Sequence, residues 1–143
     1  MRLDGMTLVD DSYNASPVAV ARLLDLLAAA PGRRVAVLGE MYELGPLCDT
    51  AHRQAGEQAA TKADLLVTVG GEPARLLGEA ARQAGLPAAA VHHAGSAAAA
   101  GDLLRDHLLE PGDVVLIKGS RGVGLDQTVA VLLTTTDRAG EEA

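Results

Sequence analysis

The chain has 143 residues, with 12 Lys and Arg against 19 Asp and Glu for a net charge of −7, and is 48% hydrophobic but only 1% aromatic. That size suits one domain with an aliphatic core, and the acidic balance argues against general affinity for nucleic acid or anionic membrane. The single Cys48 excludes an internal disulfide, no apolar run reaches the ~18 residues of a membrane span, and the opening MRLDGM lacks a signal-peptide pattern, so a cytoplasmic chain is expected.

Short β-type runs alternate with longer segments of helical periodicity. A first strand is expected over Thr7–Asp10. Ser16 then suits a helix N-cap and Pro17 the first helical position. Val18, Leu23, Leu24 and Leu27 share one face of that helix, and Gly32 stands where a C-terminal glycine is expected. Next come a strand over Arg34–Leu38, a helix over Thr50–Lys62, a strand over Leu65–Val69 and a helix over Glu72–Ala84, followed by Gly85. A strand over Ala88–Val91, a helix over Ala97–Leu109 before Gly112, a strand over Val114–Ile117 and a helix over Leu125–Leu133 complete the pattern. Residues 137–143 read as a frayed acidic tail, leaving 1–136 as the domain. This rhythm predicts right-handed βαβ crossovers. The expected fold is α/β and Rossmann-like: a doubly wound, mainly parallel sheet of five or six strands with helices on both faces. Unalternating runs such as VVLI fit a sheet covered on both sides.

In an open sheet of this kind, ligands sit beyond the carboxyl ends of the strands. The loops there carry Asp10-Asp11-Ser12-Tyr13-Asn14, Gly39-Glu40-Met41-Tyr42-Glu43, Gly70-Gly71-Glu72, His92-His93 and Lys118-Gly119-Ser120-Arg121. Both tyrosines of the chain are among them. Asp10 and Asp11 read either as a metal or phosphate site or as a strand end and a cap. In the functional reading Asp11 accepts hydrogen bonds from ribose hydroxyls, and Tyr13 or Asn14 touches a base. LGEMYELG, residues 38–45, reads as a solvated loop over Met41 and Leu44, or as a pair of carboxylates presented to a ligand. KGSRGVG, residues 118–124, is glycine-rich and basic and leads into a helix, a pattern that attracts a carboxylate or phosphate. Neither G-x-x-x-x-G-K-[ST] nor a strand-linked G-x-G-x-x-G occurs. His92-His93 lacks a Cys or acid at metal-ligand spacing, so a surface pair is the better reading and no metal site is expected. His52 and Cys48 could pair as base and nucleophile, but no third group orients them, and Cys48 is read as inert.

Together, DDSYNASP (residues 10–17), LGEMYELG, the helical His52 and KGSR (residues 118–121) resemble the C-terminal domain of the Mur ligases of peptidoglycan synthesis, in that order and over nearly the whole chain. Ser16 stands where Asn is usual and Asp126 where Glu is usual. The resemblance is to the branch of the family that adds D-alanyl-D-alanine to UDP-N-acetylmuramoyl-tripeptide. It implies an ATP-dependent ligase of three domains, of which this is the third. An N-terminal domain would hold the UDP substrate, and a central ATPase domain would hold most of ATP and Mg. The substrate carboxylate would form an acyl phosphate that the dipeptide amine then displaces. Within that reading, charge and position at the sheet edge put Asp11, Tyr13 and Asn14 towards the nucleotide, and Lys118, Ser120, Arg121, Glu40 and Glu43 towards the dipeptide. Lys118 or Arg121 would pair its carboxylate, and a group such as Glu40 would orient its ammonium. Asp10, Met41 and His52 are further candidates. The fragment alone would be inactive.

Two readings from other classes compete. A receiver-like signalling domain also has two acids after its first strand and a lysine after its fifth, but it needs an aspartate after the third, where this chain has Val69-Gly70-Gly71. A free-standing nucleotide-binding module would have to bind ATP without any partner domain.

Overall fold

The computed structural model describes residues 2–3, 6–11, 16–119 and 121–132, with only the backbone described for 2–3, 6–11 and 121. Tyr13, Asn14, Ser120 and the tail at 137–143 lie outside the described residues.

Among the described residues six strands form one sheet: β1 (Arg2–Leu3), β2 (Met6–Asp11), β3 (Arg34–Gly39), β4 (Leu65–Val69), β5 (Val91–Ala94) and β6 (Val114–Lys118). Their order is β1-β2-β6-β3-β4-β5. Only β1 is antiparallel, paired with β2. The other neighbours run parallel. Helices α1 (Pro17–Ala28), α2 (Cys48–Lys62), α3 (Glu72–Gln83) and α4 (Ala97–Leu103) link the parallel strands, and residues 126–132 are helical.

The direction of winding decides which face each helix covers. From β2 through β3 and β4 to β5 the chain advances one way across the sheet. Right-handed crossovers therefore put α1, α2 and α3 on the same face. The return from β5 to β6 runs backwards and puts α4 on the other. Alternate strand residues divide accordingly. Ala36, Leu38, Leu66 and Leu116 pack with Leu24, Ala55 and Leu77 of the first three helices. Val35, Val37, Val67 and Ile117 pack with Ala100, Leu104, Leu125 and Val129 on the second face. These fifteen side chains are all aliphatic, as a composition of only 1% aromatic residues leads one to expect.

The start of α1 is as expected: Ser16 Oγ accepts the Ala19 N–H at 3.2 Å and Pro17 opens the helix. Gly32 does not end that helix, which closes at Ala29. It lies against the Gly112 carbonyl, where a side chain would have no room. The fifth strand is displaced from Ala88–Val91 to Val91–Ala94, because Ala88–Ala90 turn as a 3-10 segment after Pro87. His92 and His93 are therefore strand residues, not loop residues. The helix expected over Ala97–Leu109 is α4 followed by a π turn over Leu104–Leu108. Asp11 and Lys118 also lie inside their strands, as Cα partners in the β2–β6 register.

Ion pairs fasten the amino ends of the strands, Arg34 with Asp64 at 3.1 Å beside β3 and β4 and, more deeply buried, Arg33 with Asp113. Arg33 donates to both carboxylate oxygens of Asp113, at 2.9 and 2.7 Å, and to the Leu108 carbonyl. Asp113 is 2% exposed and also accepts the Glu110 N–H. The hydrogen bond to Asp113 raises the already high pKa of Arg33 against the opposing cost of burial. This staple belongs to the end of the sheet opposite the loops of interest.

Candidate functional site

At the carboxyl edge, adjacent strands send their chains to opposite faces. After β3 the chain goes to α2 on the first face, whereas after the neighbouring β6 it goes to the helical run 126–132 on the second. The same divergence separates β4, leading to α3, from β5, leading to α4. A cleft opens where such loops part. It measures about 350 Å³ and is lined by Glu40 and Tyr42 from the loop after β3, Gly70 and Gly71 after β4, Ser96 after β5, and Gly122 and Gln127 after β6. Four loops from distant parts of the sequence thus converge on one cavity.

Specific contacts hold its walls. The Gly71 N–H donates to Oε1 of Glu40, and the Glu40 N–H donates to the Val69 carbonyl at 3.2 Å. Gly71 is the N-cap of α3 and provides no side chain for the helix start. Glu40 supplies that acceptor from another loop and places its negative charge at the positive end of the helix. Gly70 makes this approach feasible. Its φ is +135°, and a Cβ there would lie 2.7 Å from the Glu40 side chain. On the other wall the Tyr42 ring, 44% exposed, rests against Gly122 in the turn Arg121–Val123. Ser96 caps α4 by accepting the Ala99 N–H at 3.1 Å.

Lys118 is 3% exposed and sits at the end of β6, so its ammonium is not presented as a loop cation. Met41 is 2% exposed, a support beneath the loop. Glu43 has a φ of 63°, the left-handed turn that redirects the chain towards α2. His52 is wholly buried in α2, bonded to Met41 N–H and the Cys48 carbonyl. With both ring nitrogens engaged, the pairing of His52 as a base with Cys48 as a nucleophile is not formed. Asp10 and Asp11 end β2 one strand away from the cleft, beside β6.

Sequence reasoning places Tyr42 and Gly122 in strand-end motifs without singling them out as site residues, and it does not identify Ser96 or Gln127. Ser96 carried the signal of an N-cap after a strand, and Tyr42 stood inside a motif already singled out. The Tyr42–Gly122 contact joins LGEMYELG to KGSRG and has no local signal.

A second groove, of about 380 Å³, runs along the flank of α3 over Thr68, Glu72, Arg75, Glu79, Arg82 and His93. Its charges are matched among themselves, Arg75 to Glu72 at 3.8 Å and Arg82 to Glu79 at 3.4 Å. His93 Nδ1 lies 2.9 Å from Thr68 Oγ1, while its Nε2 is sealed from solvent. Burial, with Arg75 second, pushes the His93 imidazole below the usual histidine range, against the opposing pull of Gly70, Glu72 and Glu40. The cleft at the strand ends, where backbone and side-chain groups converge from four loops, is the better candidate. Among the described residues no group of three His, Cys, Asp or Glu side chains is placed to hold a metal ion, and no helix is long and apolar enough to cross a membrane.

A family model described as Mur ligase, glutamate ligase domain, matches residues 1–121. The UDP-N-acetylmuramoyl-tripeptide–D-alanyl-D-alanine ligase of Mycobacterium leprae is 38% identical over an alignment covering 92% of this chain and 28% of that protein. The ligase of the same description from Mycobacterium tuberculosis is 40% identical, covering 97% of this chain and 31% of that protein. The crystal structure of MurF ligase from Thermotoga maritima in complex with ADP superposes with a TM-score of 0.80 at 26% identity, covering 97% of this chain and 30% of that one. The chain therefore spans less than a third of the length of these relatives. A domain-length family match, relatives near 40% identity and a doubly wound sheet of the same build together establish that the chain belongs to the Mur ligase family, as its glutamate ligase domain.

Proposed function

We propose that the chain is the C-terminal domain of an ATP-dependent cytoplasmic ligase that adds D-alanyl-D-alanine to UDP-N-acetylmuramoyl-tripeptide, and that it closes over the nucleotide and receives the dipeptide. The observation that carries this reading is the convergence of LGEMYELG and KGSRG on one cleft, with Glu40 on one wall and the Arg121 turn on the other. The domain itself would span 1–136, with 137–143 as a tail.

In this reading the substrate carboxylate attacks the terminal phosphorus of ATP, releasing ADP and forming an acyl phosphate. The dipeptide amine then attacks the acyl carbon, phosphate leaves, and the nitrogen loses a proton. Most of ATP and its Mg would be held by the central domain of the same polypeptide, and the UDP substrate by the N-terminal one. This chain supplies positioning and charge complementarity. Asp11 accepts from the ribose hydroxyls, and Tyr13 or Asn14 meets the base. Glu40, with Glu43 nearby, attracts the dipeptide ammonium. Ser120 and a basic partner take its carboxylate. The burial of Lys118 favours Arg121 for that role, because a guanidinium fork matches a carboxylate with two bonds.

The test separates the two ligands in the intact ligase. Asp11→Ala should raise the KM for ATP, and Arg121→Ala the KM for D-alanyl-D-alanine, each by about tenfold to a hundredfold and each with little effect on the other substrate. Arg121→Lys should fall between Arg121→Ala and wild type. Both substitutions leaving both KM values unmoved would remove this edge of the sheet from the site.

A further inference from the structure

The loop after β3 holds two residues against different neighbours at once. Glu40 reaches the Gly71 N–H at the head of α3. Tyr42 rests on Gly122, in the turn after β6. Between them lies Met41, whose N–H donates to Nε2 of His52 at 3.0 Å. His52 is 0% exposed, in the second turn of α2, and its Nδ1 lies 2.7 Å from the Cys48 carbonyl. A main-chain N–H can only donate, so Nε2 must carry the lone pair. The ring hydrogen is then on Nδ1, where it is donated to the Cys48 carbonyl. One tautomer satisfies both bonds. In that tautomer no lone pair is left for the Cys48 thiol, whose Sγ lies 3.7 Å from Nδ1.

The geometry points to His52 as a positioning residue: through Met41 it fixes the main chain that carries Glu40 and Tyr42, and with them the separation of the two walls of the cleft. The physical reason is burial. A main-chain N–H enclosed in the core loses water and must find an acceptor, and a wholly buried imidazole cannot swing away without opening the packing around it. The loop is thereby tied to α2, a rigid fifteen-residue helix, at the point midway between its two working contacts. A ligand held between Glu40 and the Arg121 turn is sensitive to their spacing, and displacements of ~1 Å at such sites have large effects on rate. The inference rests on the assignment of this cleft to the acceptor dipeptide.

Two substitutions test it. His52→Phe fills the space but accepts no hydrogen bond. His52→Gln retains a side-chain carbonyl able to take the Met41 N–H. In the 15N-labelled chain, ring-nitrogen shifts should report hydrogen on Nδ1 and a lone pair on Nε2, and the Met41 amide should exchange slowly. His52→Phe should speed that exchange by about tenfold or more, and His52→Gln by less. In the intact ligase the KM for D-alanyl-D-alanine should rise about tenfold in His52→Phe and partly recover in His52→Gln, with the KM for ATP unchanged. If His52→Phe does not fold, the wild-type tautomer and the same two measurements on His52→Gln decide the matter. A ring with hydrogen on Nε2, or Met41 exchange that ignores the substitutions, would overturn the bond itself. Faster exchange with an unmoved dipeptide KM, in an enzyme where Glu40→Ala does raise that KM, would reduce His52 to a core histidine. If Glu40→Ala leaves the dipeptide KM unmoved as well, the cleft assignment fails and the inference falls with it.

Discussion

Glu40 has one observed contact and one proposed task, and replacing its carboxylate by an amide separates them. Its Oε1 accepts the Gly71 N–H and so caps α3, while its charge is proposed to draw the dipeptide ammonium. Glu40→Ala removes both. The lost cap should cost about 1 kcal/mol, which for 143 residues lowers Tm by about 3 °C. Glu40→Gln keeps an oxygen at the capping position and loses only the charge, so its Tm should fall by less than that of Glu40→Ala. The ligand effect should follow a different order. A hydrogen bond to a charged partner is worth about 1.5–3 kcal/mol, so both variants should raise the KM for D-alanyl-D-alanine by roughly tenfold to a hundredfold. Calorimetric melting and steady-state kinetics in the intact ligase measure the two effects separately. A Glu40→Gln enzyme with normal dipeptide kinetics would show that Glu40 is a helix cap and nothing more.

Two further outcomes follow from the scaffold. Asp113→Ala strands Arg33 and the Glu110 N–H at the closed end of the sheet and should cost about 3 kcal/mol, or about 10 °C in Tm by thermal melting. His93 gives a pH dependence whose sign is fixed by its environment. Its imidazole is pushed below the usual range, chiefly by burial, so the fold favours the uncharged ring. That contribution is complete above the unfolded value of about 6.5 and is lost as pH falls from there through the lower folded value. His93→Gln should therefore flatten the acid-side decline in Tm just below about pH 6.5. An unchanged decline would assign it to other groups.

The architecture was legible because aliphatic runs and helical periodicity report burial directly, and burial on both faces leaves few alternatives to a doubly wound sheet. The N-cap pair Ser16-Pro17 was equally plain. Where reading failed, polar residues were doing unpolar things. His92 and His93 look like a loop but occupy an edge strand, with His93 folded onto Thr68. Lys118 looks like an exposed cation and is buried in β6. At the site, the motifs were visible but not their mutual contacts. Glu40 on Gly71, Tyr42 on Gly122 and Met41 on His52 are tertiary contacts across 11 residues or more, made only once β4, β6 and α2 are in place beside β3. No local periodicity encodes such pairs. His52 is flagged by resemblance, but the positioning role proposed for it rests on the two bonds its ring makes.

The proposed ligase takes as its incoming amine a dipeptide with a free carboxylate. The most direct measurement is ATP-dependent product formation by the intact ligase with UDP-N-acetylmuramoyl-tripeptide and a panel of amines: D-alanyl-D-alanine, its C-terminal amide, and single amino acids. Ready turnover is expected with D-alanyl-D-alanine, about tenfold or greater loss of kcat/KM with the amide, which removes the charge proposed to face Arg121, and negligible use of single amino acids. Preference for a single amino acid, or equal use of the dipeptide and its amide, would contradict the proposal.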